Sequence, residues 1–166
     1  MEDAMNIEGF FVRMTDTNAV RKIVEERINS ADDPPGLQPD WGLEQSYDAF
    51  IVGNPTRKVA ISRPKAGWIA AIESKEVLDF ALLQRIGQSI GTDVVAYQIS
   101  DSTGGCGYAV FRNGRLEESN FDEDAEDPLF NTRKIVADLG IPFDLVMFRE
   151  AAQDKTGDWE VVQKSA

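Results

Sequence analysis

Apolar and polar positions along this chain follow two rhythms, one near every second residue and one near every third or fourth. Gly9-Phe10-Phe11-Val12-Arg13-Met14 is dense in aromatic and β-branched residues and predicts a first strand. Thr15-Asp16-Thr17-Asn18 then offers several N-caps. Val20, Ile23, Val24 and Ile28 recur at helical spacing, with Arg21, Lys22, Glu25 and Glu26 facing away, so a helix is predicted over 17–29.

The rhythm stops over residues 30–48, where Asp32-Asp33-Pro34-Pro35-Gly36 is a strong loop signal. Three short strand-like runs come next: Ala49 to Gly53, Lys58 to Arg63 and Trp68 to Ile72. Their connections are too short for parallel crossovers, so they predict an antiparallel meander.

A second helix is predicted from Lys75 to Ile90, capped by Ser74, with Leu78, Leu82, Leu83, Ile86 and Ile90 as its apolar stripe and Gly91 as its stop. Val94 to Ile99 is apolar on both faces for much of its length, which predicts a central strand. Cys106 to Arg112 and Arg115 to Phe121 flank Asn113-Gly114, the clearest hairpin signal in the chain.

Asp127-Pro128 has the grammar of a third helix start, with Ile135, Val136 and Leu139 as the buried face and Gly140 as the stop. Phe143 to Phe148 fits a strand or a short helix equally well. Trp159 to Val162 reads as a final short strand or a frayed end, within a loose C-terminal tail over 151–166. The sum is one α+β domain over 1–166: a mainly antiparallel sheet with about three helices, near 17–29, 75–90 and 128–139. The stretch from Gly67 to Phe121 is its organising unit, with Leu78, Leu82, Ile86, Val95 and Phe111 in the core.

Composition narrows the function. Hydrophobic residues make up 42% of the 166, enough for a core. Asp and Glu number 29 against 17 Lys and Arg, a formal charge of -12. That field repels nucleic acid and anionic membranes and admits a basic protein partner. The acidic start Met1-Glu2-Asp3-Ala4-Met5 has no signal-peptide pattern, and no apolar run approaches the ~20 residues of a membrane span. With a single cysteine, a cytoplasmic protein is expected. There is no histidine, which excludes Ser-His-Asp and Cys-His catalysis and histidine zinc sites.

Three places carry candidate chemistry. Glu117, Glu118, Asp122, Glu123, Asp124, Glu126 and Asp127 form an acidic run without a basic residue among them. It suits docking of a basic protein, with a solvated loop and helix cap as the plain alternative. A metal site is disfavoured, because an EF-hand loop started at Asp122 puts Asp127 where Gly is needed and Arg133 where Glu is needed. No cofactor pattern is present. The loop Asp101-Ser102-Thr103-Gly104-Gly105 has the hydroxyls and glycines of an anion nest but joins two strands, so it lacks a helix N-terminus. Trp41 is a loop aromatic, fit either to anchor a partner or to cover the core edge. Trp68, Tyr97 and Tyr108 are the aromatics around which a small-ligand or carboxylate-based enzymatic pocket would form. Cys106 lacks a histidine to activate it and is expected to pack as a small apolar residue.

Gly67-Trp68-Ile69 into Glu73-Ser74, the Leu82 to Ile90 helix, Val94 to Asp101-Ser102 and the tyrosine-bearing hairpin together resemble small bacterial α+β proteins of unknown function. More loosely, they resemble the immunity proteins that neutralise toxins. The resemblance covers about residues 58–121. It implies an α+β fold and a protein partner, and transfers no catalytic residue. The leading expectation is thus a non-enzymatic, acidic interaction domain of inhibitor or immunity type.

Overall fold

The computed structural model describes residues 6–30, 58–73, 79–100, 105–122, 128–143 and 159–163. They form an α+β domain of ten elements. In chain order these are β1 (Asn6–Val12), α1 (Thr17–Asn29), β2 (Lys58–Ser62), β3 (Ile69–Glu73), α2 (Phe80–Ile90), β4 (Asp93–Ser100), β5 (Gly105–Arg112), β6 (Arg115–Asp122), α3 (Pro128–Asp138) and β7 (Trp159–Gln163). The strands make one sheet in the order β6-β5-β4-β1-β3-β2-β7. Every neighbouring pair is antiparallel.

The sheet is buried on both faces, because alternate side chains point to opposite sides and helices cover each. On one side Val20, Ile23, Val24 and Ile28 of α1 and Leu82, Leu83 and Ile86 of α2 pack on Phe10, Val12, Ile61, Ile69, Ala71, Val94, Ala96 and Phe111. On the other, Val136 of α3 and Ile141 beyond it pack on Phe11, Ile72, Val95, Tyr97, Ile99 and Val110. Each fully buried large apolar side chain contributes about 1.5–3 kcal/mol.

Local chemistry sets the element ends. Asp16 accepts from the N–H groups of Asn18 and Ala19 and starts α1 at the predicted position. The second helix begins at Phe80, later than the predicted Lys75. Its N-cap is Asp79, whose carboxylate accepts from the Leu82 N–H at 3.2 Å. Leu78 and Ser74 lie outside the described residues. The first strand also begins earlier than predicted and ends at Val12, where Arg13 and Met14 leave the ladder. Asn113 and Gly114 have φ of 54° and 80° and close the β5–β6 hairpin, as a two-residue turn with both φ positive requires. α2 rests on that turn. A Cβ on Gly87 would stand 2.6 Å from the Gly114 nitrogen.

The central position predicted for the Val94–Ile99 run is observed: β4 lies between β5 and β1, and residues 94–99 are all buried. Lys58 to Ser62 and Ile69 to Glu73 are antiparallel neighbours, as predicted. The run Ala49 to Gly53 lies outside the described residues, as does the chain after Phe143 up to Trp159. The final run is a strand, β7, paired with β2. Among the described residues, no helix is long and apolar enough to cross a membrane.

The two ends of the sheet differ. At one end the chain turns tightly, between β1 and α1, β2 and β3, α2 and β4, and β5 and β6. At the opposite end stand the start of β1, the end of β3, the end of β4, the C-terminus of α1 and the N-terminus of α2, as the antiparallel pairing requires.

Candidate functional site

Two constellations stand out, an acidic sheet edge and a buried polar row. The edge is β6, with β5 as its one neighbour among the described residues. Its residues 115–120 are all exposed. The β5–β6 register shifts between Val110 and Phe111: Val110 faces Glu118, whereas Phe111 faces Leu116. Glu117 is the extra residue of a β-bulge.

That bulge has a chemical effect. In a regular strand Glu117 and Glu118 would point to opposite faces. Instead Glu117 bonds Arg112 at 2.8 Å, and Glu118 accepts from the Tyr108 hydroxyl at 2.5 Å. Arg112 and Tyr108 are both even-numbered residues of β5, so the two carboxylates share the α3 side of the sheet edge. The hydrogen bond to Glu118 is the main cause of a raised Tyr108 pKa, with burial and the Glu118 charge adding to it. Asp93 bonds Arg112 at 2.9 Å and Arg13 at 3.8 Å, so a charge ladder of alternating sign crosses the sheet from Arg13 to Glu117. Exposed pairs of this kind contribute about 0–1 kcal/mol each and exchange readily with a partner's charges.

Beside the edge, an open groove of about 390 Å³ runs between the sheet and α3. Tyr108 and Asn120 line its sheet side, and Asn131, Lys134 and Asp138 its helix side.

The buried row lies on the α1/α2 side. Glu8 and Glu73 stand directly opposite each other on β1 and β3, and Gln98 stands opposite Glu8 on β4. All three are 2% exposed or less. Arg27 and Asp79, also buried, make a two-pronged pair at 2.7 and 3.1 Å. The pair joins the end of α1 to the start of α2, above the same end of the sheet. Among the described residues no group of three or more His, Cys, Asp or Glu is placed to hold a metal ion.

Of the residues singled out in the sequence, Glu117 and Glu118 are brought together on the edge, and Asp122 ends the same strand. Glu123, Asp124, Glu126, Asp127, Asp101, Ser102, Thr103 and Trp41 lie outside the described residues. Tyr97 and Tyr108 are cross-strand partners. Tyr97 is fully buried and stacks on Phe11 at 5.2 Å between centroids, while Tyr108 is half-buried in the groove wall. Trp68 precedes β3, four residues from the Ile72 that shares Gly9 and Tyr97's row. It packs, partly buried, against the same α3-side core as Tyr97 and Tyr108. Cys106 forms no disulfide and is partly buried against the α3-side core. The buried Glu8, Glu73, Gln98 and Arg27 were not legible from sequence. Asp79 carried a signal, an N-cap type directly before Phe80-Ala81-Leu82-Leu83.

No family model, no curated protein and no solved structure matches this chain.

Proposed function

We propose that this is a non-enzymatic, acidic protein-interaction domain that binds a basic partner, in the manner of an inhibitor or immunity-type protein. The observation that carries the reading is the bulge that sets Glu117 and Glu118 on one face of an exposed edge strand. A formal charge of -12 favours encounter with a basic surface, and the acidic run continues in sequence through Asp127.

Binding of polylysine at low ionic strength tests it. Glu117→Lys/Glu118→Lys removes most of the affinity. Glu25→Lys/Glu26→Lys, the same charge change on the exposed side of α1, removes little. Equal losses from the two variants mean that net charge alone attracts the cation, and the reading falls.

A second reading is a small-ligand or carboxylate-based enzymatic domain. The groove beside Tyr108 favours it, since it is concave, mixes apolar and polar lining, and holds Asp138, Lys134 and the Tyr108 hydroxyl that Glu118 accepts from. A ligand held there shifts the Tyr108 ring signals and leaves the outer edge of β6 unperturbed.

A further inference from the structure

We infer that the outer edge of β6 takes up an extended, basic segment of the partner as an added strand. The inference rests on the proposal that the domain binds a basic partner, and specifies how.

An edge strand presents a row of backbone N–H and C=O groups that templates pairing with another chain. β6 has eight residues against five in β7 at the other edge. It contains no proline. From Glu118 to Asp122 its register with β5 is unbroken, so this stretch is regular and extended. Among the described residues, the flanking side chains leave it open. A Cβ on Gly107 would stand 1.8 Å from the Phe121 ring, so that ring is folded inward across β5 rather than out over the edge. What remains along the middle of the strand is Ser119 on one face and Asn120 on the other, small and exposed.

Charge selects the occupant. Edges guarded by lysine reject basic strands, whereas β6 carries Glu117, Glu118 and Asp122 against the single Arg115, a net acidic edge even with Glu117 bonded to Arg112. Like charges directly opposite are unfavourable, and unlike charges favourable, so an acidic strand is rejected and a lysine- or arginine-bearing one admitted. A second copy of this chain, with its own Glu117 and Glu118 and a charge of -12, is rejected on the same ground. The groove lined by Tyr108, Asn120, Asn131 and Asp138 runs beside the edge on the α3 side. It gives room to every second side chain of the added strand. Backbone pairing then supplies affinity and the groove supplies selectivity, as in other strand-addition complexes.

The test uses an octapeptide of alternating lysine and valine, and two versions of it N-methylated at every second residue along one edge or the other. Charge and side chains are the same in all three. Strand addition predicts that methylation on one edge weakens binding by about tenfold or more, since several backbone hydrogen bonds are lost. It also predicts that Glu117→Lys/Glu118→Lys weakens the unmodified peptide. Equal affinity for all three peptides overturns strand addition while the basic-partner proposal stands. No binding of any of them at low salt, with polylysine still bound, overturns strand addition too. If polylysine also fails, the proposal beneath it falls. A dimer of the free protein, seen by sedimentation and abolished by the peptide, contradicts the exclusion of a second copy.

Discussion

The guanidinium of Arg27 grips both carboxylate oxygens of Asp79, at 2.7 and 3.1 Å, and ties the last turn of α1 to the first turn of α2. The side chains are 9% and 1% exposed. Asp79 also caps α2 through the Leu82 N–H, so one carboxylate starts a helix and locks it to its neighbour. Removing one partner of a buried pair strands the other charge. Asp79→Ala is expected to destabilise the fold by about 3–5 kcal/mol. Arg27→Met/Asp79→Leu removes both charges and recovers all but about 1 kcal/mol, the value of the lost cap. Urea unfolding followed by circular dichroism checks both values.

Helix α2 and the β5–β6 turn meet at Gly87. Alanine favours a helix over glycine by about 1 kcal/mol. Here a Cβ would stand 2.6 Å from the Gly114 backbone nitrogen. Overpacking against backbone costs about 1–3 kcal/mol. Gly87→Ala is therefore expected to destabilise, against its propensity. Ser89→Ala, exposed on the same helix, stays within about 0.5 kcal/mol of the parent. Thermal melts of the two variants give the comparison.

Two glycines lie beneath aromatic rings, and their surroundings predict unequal tolerance. Gly9 faces Tyr97 across β1 and β4, and its Cβ would meet the Ala71 carbonyl oxygen at 2.3 Å. Gly107 faces Phe121 across β5 and β6, and the three atoms its Cβ would stand nearest, at 1.8 to 2.4 Å, all belong to that ring. The Phe121 ring is a half-buried side chain at the sheet edge, whereas the Ala71 carbonyl is backbone fixed in the ladder. Gly9→Ala is expected to lose more stability than Gly107→Ala, as measured by urea midpoints.

Tyr108 links edge charge to pH. Its hydroxyl donates to Glu118, which holds the neutral phenol and raises its pKa above the ordinary 10.0. The folded protein thus keeps this proton at pH values where the unfolded chain has released it. The resulting stability is fully present below pH 10.0 and is lost as pH rises through the folded value. Ultraviolet titration of the phenolates is expected to show Tyr108 ionising above its ordinary value. Glu118→Gln is expected to bring that ionisation back toward the ordinary value.

What could be read from the sequence was local. Asn113-Gly114 specifies its turn through the φ values it tolerates, and Asp16 specifies the start of α1 through its own cap bonds. The apolar run of β4 fixed its central place because a strand buried on both faces has no polar side to show. The polar row was hidden for the converse reason. Glu8 meets Glu73 only because β1 is inserted between β3 and β4, and strand order is not written in any one segment. The second helix starts later than its pattern predicts because Asp79 sits inside an apolar pattern, where a charge resembles the exposed face of a longer helix. The acidic run was legible as charge. That Glu117 and Glu118 share a face was not, since a bulge depends on the register with Val110 and Phe111.

We propose β6 as the place where a basic segment binds. Backbone amide shifts of the labelled protein, followed while the lysine–valine octapeptide is added at low salt, test that most directly. The predicted result is a set of shifts concentrated on Arg115–Asp122, with Tyr108 responding through Glu118. Shifts centred on α1 or on the β7 edge, with β6 unchanged, would contradict it.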